Sequence, residues 1–152
     1  MSTHKLKYKT KTATKEEIYL HLKECNNNFI PALDQKVSVK DYSEKIAEKA
    51  VTFEAWADNI LVGLVAAYFN DSENRVGYIT NVSITMNQSG KGIASELINR
   101  CMKYARQKNF KEIKLEVFKN NNKAIQLYKK LNFTSVEIKN DMVQMQQDLN
   151  NS

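Results

Sequence analysis

The chain has 152 residues, of which 42% are hydrophobic and 26% charged, with a formal net charge of +6. That length fits one domain spanning residues 1–152, and no apolar run approaches the roughly 20 residues needed to cross a bilayer. The lysines are scattered rather than clustered with aromatics, which suits a solvated surface or a small anionic ligand better than a nucleic-acid face.

Met1-Ser2-Thr3-His4-Lys5 has no apolar segment behind it and does not read as a signal peptide. Leu6, Tyr8 and Thr10 alternate within Lys5 to Ala13, the pattern of a first strand. Thr14-Lys15-Glu16-Glu17 then has the form of a capping box, so a helix is expected from there to about Glu24. Asn26-Asn27-Asn28 breaks it, and Phe29-Ile30-Pro31-Ala32-Leu33 reads as an apolar loop and a candidate substrate wall. Tyr42, Ile46, Ala47 and Ala50 share one face of a second helix over Val39 to Ala50. Val51 to Ala57 and Ile60 to Phe69 read as strands joined by a hairpin at Asp58-Asn59. Asn70 to Asn74 is a polar turn, and a further strand runs from Val76 to Ile84.

Two glycines follow that strand, in Ser89-Gly90-Lys91-Gly92-Ile93-Ala94-Ser95. Beyond them Ala94, Leu97, Ile98, Cys101 and Ala105 mark one face of a helix over Ile93 to Lys108. Cys25 and Cys101 are the only cysteines, and both are expected to be reduced thiols in a cytoplasmic protein. Ile113, Leu115 and Val117 alternate in a strand over Glu112 to Phe118. Asn120-Asn121-Asn122 offers an N-cap to a last helix whose face carries Ala124, Ile125, Leu127, Tyr128 and Leu131. Phe133 to Ile138 and Met142 to Leu149 close the order as two strands, with a polar tail after. The order is β-α-α-β-β-β-α-β-α-β-β, a mixed α/β sheet with helices packed on it. No His/Cys/Asp/Glu cluster has metal spacing, and His4 and His21 carry no expected role.

A glycine-rich turn between strand and helix leaves backbone N–H groups free at a positive helix end, which suits an anion. The loop lacks the glycine spacing of a nucleotide P-loop, and no strand–loop–helix unit opens the chain as a dinucleotide fold would. Ser89-Gly90-Lys91-Gly92-Ile93-Ala94 instead resembles the pyrophosphate loop of the GNAT acetyltransferases, Gln/Arg-x-x-Gly-x-Gly/Ala, with serine in the first place. Further on, Asn121, Ala124, Tyr128 and Phe133 match in spacing the second signature of that family, Asn-x-x-Ala-x-x-x-Tyr-x-x-x-Gly-Phe. Asn132 stands where the family has glycine.

The resemblance implies the acyl-CoA N-acyltransferase fold: a mostly antiparallel sheet of about seven strands and about four helices. In it two parallel strands, here Tyr78–Ile84 and Glu112–Phe118, splay apart to admit acetyl-CoA. It also implies transfer of an acetyl group to a primary amine by direct attack in a ternary complex. The pantetheine arm is expected on backbone at Val82, Ser83 and Ile84, and the pyrophosphate on Ser89, Gly90, Lys91, Gly92, Ile93, Ala94 and Ser95. Asn121, Lys123, Ala124 and Tyr128 are expected beside the cofactor. The Ile84 N–H is the implied oxyanion donor and Tyr128 the implied acid for the leaving thiolate. Family members often carry a carboxylate at the positions of Thr80 or Asn81; this chain does not, which leaves Glu116 or a water chain as the base. Asn81, Phe29 and Tyr42 are the expected substrate contacts, with Leu33, Trp56 and Tyr68 as further candidates. The acceptor stays open among amino sugars, amino acids, polyamines and peptide amines. A non-catalytic binding protein and a peptide or protein acetyltransferase are the alternatives, and a homodimer is compatible. No nucleic-acid or membrane partner is expected.

Overall fold

The computed structural model describes residues 5–149, so His4 and the polar tail after Leu149 lie outside the described residues. Seven strands, β1 (Leu6–Thr10), β2 (Val51–Ala57), β3 (Ile60–Asp71), β4 (Val76–Ile84), β5 (Glu112–Phe118), β6 (Thr134–Lys139) and β7 (Met142–Asp148), form one sheet. Their spatial order is β1-β2-β3-β4-β5-β7-β6, and only β4 and β5 run parallel. The helices are α1 (Lys15–Cys25), α2 (Val39–Lys49), α3 (Ile93–Gln107) and α4 (Asn122–Lys130). Element order and type follow the sequence reading, and the boundaries shift for identifiable reasons.

β1 stops at Thr10 rather than near Ala13. Lys11 turns to φ 61, and the N–H groups of Thr12 and Ala13 leave the ladder to donate to the Glu54 carboxylate. α1 begins on its capping box, Thr14 accepting from Glu17 N and Glu17 from Thr14 N. The three asparagines do not merely break α1; they tighten into a 3-10 turn, Asn26–Asn28, before the cis peptide of Ile30-Pro31. The β2–β3 hairpin turns on Asp58 and Asn59 at φ 50 and 66, the left-handed pair that a two-residue turn needs. Asn132 adopts φ 75 at the end of α4. Asparagine is the side chain that best tolerates this conformation after glycine, which accounts for its presence in the glycine position.

The sheet divides the apolar residues into two cores. On one face α3 buries Ile93, Leu97, Ile98, Cys101, Met102 and Ala105 against Phe53, Val65, Ile79 and Ile113, and the same body takes in Tyr128 and Phe133. On the other, Ile18 and Leu22 of α1 and Ile46 of α2 cover Trp56, Leu61, Leu64 and Ala66. Each of the larger aliphatic side chains contributes about 1.5–3 kcal/mol by leaving water.

One irregularity sets up the site. Across β3 and β4, Ala66 faces Asn81 but Ala67 faces Ile79, so Thr80 is an extra residue on β4. A bulge bends its strand and raises the local twist. Parallel pairing with β5 ends at the same place, the last partners being Ile79 and Leu115. Beyond it β4 continues through Val82 and Ile84 with no partner on that side among the described residues.

Candidate active site

A cleft of about 820 Å³ opens where β4 and β5 part. Its size lies in the range usual for small-molecule sites. One half is lined by Val82 and Ile84 of β4, by Ser89, Gly90, Gly92, Ile93, Ala94 and Ser95, and by Asn121, Lys123, Ala124, Leu127 and Tyr128. The other half is lined by Phe29, Pro31, Leu33, Tyr42, Tyr78, Thr80, Asn81, Glu116 and neighbouring residues. The structure therefore brings together residues from the apolar loop, α2, β4, the glycine loop, β5 and α4.

The backbone of β4 points correctly for a ligand. Thr85 N donates to Val62 O on β3 at 2.9 Å. Successive strand amides alternate in direction, so the N–H groups of Ile84 and Val82 face away from β3, into the opening. The glycine loop adds further amides. Gly90 and Gly92 both hold φ 77, and a Cβ on either would meet nothing within 4 Å. Glycine is needed there for conformation, and the space beside it is open to a ligand. Gly92 is the residue before the first turn of α3, where amides are free and the dipole favours an anion.

Two expected cofactor residues do not line the cleft with their side chains. Ser83 is buried behind the strand, its Oγ 2.9 Å from His21 Nε2, and its backbone faces its β3 partner Leu64 rather than the opening. Lys91 folds back, and its Nζ donates to Gln88 Oε1 at 3.1 Å. Gln88 is a residue the sequence reading missed. It is buried and lines the cleft edge, one position before Ser89, whose hydroxyl donates to Met86 O. A long amide side chain braces this loop from the adjacent position, and the signal for it is the glutamine standing one place before Ser89 in the sequence.

Asn121 caps α4, its Oδ1 accepting from Ala124 N at 3.2 Å. Tyr128 is 8% exposed and sits edge-on to Phe133 at 6.0 Å. Burial pushes its phenol up to about 12, so it carries its proton at neutral pH. In the other half, Tyr42 donates to the Thr80 carbonyl at 2.7 Å, and burial raises its phenol to about 12. Glu116 accepts from Gln144 Nε2 at 2.6 Å and, at a long 3.5 Å, from the Tyr78 hydroxyl. It is the single carboxylate among the lining residues. Trp56 and Tyr68 do not line the cleft. Trp56 is buried in the α1–α2 core, donating to Glu54, because its strand face is the one those helices cover. Tyr68 lies under the Lys45 ammonium, 5.3 Å from the ring centre.

His21 also departs from expectation. The helix reads as polar, yet His21 is 3% exposed and bonds to Leu61 O and Ser83 Oγ. Among the described residues no group of three or more His, Cys, Asp or Glu side chains is placed to hold a metal.

The model of the Acetyltransferase (GNAT) family matches residues 15–133. The chain belongs to that family. GNAT enzymes take their acetyl group from acetyl-CoA, and the bulge, the parted strands and the open glycine loop together form the cleft just described. Streptothricin acetyltransferase of Escherichia coli is 32% identical over 97 residues, 62% of this chain and 55% of that protein. The chain spans about half or less of the length of the curated relatives it matches. Among solved structures, Arabidopsis thaliana NAA60 with a bisubstrate analogue superposes with a TM-score of 0.76 at 20% identity, covering 97% of this chain and 100% of that one. PaiA N-acetyltransferase of Thermoplasma acidophilum, solved with coenzyme A, gives 0.75 at 14% identity, covering 93% and 99%. At those identities the structural likeness speaks for the GNAT fold alone.

Proposed function

We propose that this GNAT chain transfers the acetyl group of acetyl-CoA to a primary amine of a small molecule by direct attack in a ternary complex. The observation that carries the reading is the meeting of two features in one cleft. β4–β5 pairing ends at Ile79 and Leu115, and the open amides of Gly90 and Gly92 stand at the start of α3 on the same side. The first leaves strand amides for a pantetheine arm, the second a cradle for a pyrophosphate.

In this reading the thioester carbonyl lies against the Ile84 N–H, which stabilises the oxyanion. Val82 supplies backbone to the pantetheine, and residues 89–95 with Asn121, Lys123 and Ala124 surround the phosphates. The attacking nitrogen forms a bond to the carbonyl carbon, the C–S bond breaks, and Tyr128 protonates the departing thiolate. The proton lost by the amine passes to Glu116 or to water. Glu116, the single lining carboxylate, is the counter-charge for a protonated acceptor, with Phe29, Leu33 and Tyr42 forming the wall. The likeness to a streptothricin acetyltransferase supports a small-molecule acceptor.

Thermal unfolding with acetyl-CoA tests the cofactor half. Acetyl-CoA is expected to raise the melting temperature, and Gly92→Glu to abolish that rise by placing a carboxylate in the anion cradle. A wild type indifferent to millimolar acetyl-CoA sinks the reading. Release of free CoA thiol with a panel of amino sugars, amino acids, polyamines and short peptides identifies the acceptor, and activity confined to peptides would replace the small-molecule assignment.

A further inference from the structure

His21 on α1 and Ser83 and Asn81 on β4 form a buried chain that ends in the acceptor half of the cleft. His21 Nδ1 lies 3.1 Å from Leu61 O, and Nε2 lies 2.9 Å from Ser83 Oγ. Ser83 Oγ is in turn 2.8 Å from Asn81 Oδ1. Asn81 is 5% exposed, and it alone of the three lines the cleft.

The direction of these bonds follows from donor inventory. A carbonyl only accepts, so the imidazole proton sits on Nδ1. Burial holds the His21 pKa down at about 4, so the ring is neutral near pH 7 and Nε2 offers a lone pair. Ser83 has a single hydroxyl hydrogen. If Ser83 spent that hydrogen on Asn81, two lone pairs would oppose each other across 2.9 Å. The Cys25 thiol, at 3.8 Å from Nε2, is a weaker donor and does not remove that clash. Ser83 therefore donates to Nε2, and the Asn81 atom beside it must be a donor. A half-turn of the amide puts Nδ2 there and Oδ1 toward the cleft; oxygen and nitrogen positions of such a group are set by the network around it.

We propose that His21, acting through Ser83, fixes the Asn81 amide with its oxygen turned into the cleft, where it accepts a hydrogen from the incoming amine. The proposal rests on the acetyl-transfer reading. Holding one N–H aims the nitrogen lone pair at the thioester carbon while the other substituents stay free. As the N–C bond forms and the C–S bond breaks, the amine gives up one proton and the thiolate gains one. Asn81 touches the reacting nitrogen; His21 and Ser83 are positioning residues.

Two measurements test this. Long-range proton–nitrogen spectra of the labelled protein near pH 7 read the His21 tautomer directly. Nδ1 protonated with Nε2 bare is expected, and a proton on Nε2 overturns the proposal. With the best amine of the panel, Ser83→Ala is expected to lower kcat/KM for the acceptor about tenfold, with KM for acetyl-CoA unchanged. Ser83→Thr, which keeps the hydroxyl, is expected to restore it. An active wild type whose Ser83→Ala variant keeps its acceptor kcat/KM overturns the proposal alone. Failure of the acetyl-transfer reading shows separately, as a wild type inert toward every amine. Should Ser83→Ala lose the acetyl-CoA thermal shift and so report misfolding, the wild-type tautomer decides.

Discussion

Glu54 is fully buried, and its carboxylate collects donors from Thr12 N, Thr12 Oγ1, Ala13 N, Thr52 Oγ1 and Trp56 Nε1. Burial pushes its pKa up, but these bonds outweigh burial and hold it below the usual 4.5. Its stabilising effect is therefore complete above pH 4.5 and is lost as pH falls through the lowered value. His21 acts at a higher pH. Its pKa falls from 6.5 to about 4, so the unfolded chain takes up a proton first. Stability on this account is complete above pH 6.5 and drops by about 3 kcal/mol as pH falls to about 4. Urea unfolding of wild type and His21→Phe at pH about 7 and about 4.5 checks this, since the variant's pH-dependent loss over that window is expected to be much smaller. Two further variants address the chemistry. Tyr128→Phe is expected to lower kcat by about 10²-fold with little change in KM for acetyl-CoA, the loss expected of a general acid. Glu116→Gln is expected to erase the acid limb of the rate–pH profile; an unchanged limb assigns the proton to water.

At the scale of elements, α3 was legible because its signals are local: a period of apolar residues and two glycines at its entry. Asn121 at the start of α4 was equally legible as a cap. His21, Glu54 and the bulge at Thr80 were not, since each depends on what another strand or helix places opposite. A histidine on a polar-looking helix gives no hint that β3 and β4 will close over it. Gln88 lies between these cases, one residue before the first place of the glycine-loop motif. Two element-level costs can be measured by urea unfolding. Leu97→Ala, at 0% exposure between α3 and the sheet, is expected to cost about 2–5 kcal/mol. Asn132→Ala, at φ 75, is expected to cost about 1 kcal/mol, and Asn132→Gly about nothing.

Across the whole molecule, the sheet is two blocks, β1 to β4 and β5-β7-β6, joined by a parallel seam of four residue pairs from Val76–Glu112 to Ile79–Leu115. Each block has its own antiparallel ladder; the seam has little. In amide hydrogen exchange, Thr85, bonded to Val62 O, is expected to exchange slowly in the free protein. Val82 and Ile84, facing the gap, should exchange fast until acetyl-CoA is added, then slow by an order of magnitude or more as the ligand accepts from one block and rests on the other. The cofactor would thus behave as a strand that the chain does not encode, so that saturating it raises the cooperativity of unfolding as well as its midpoint.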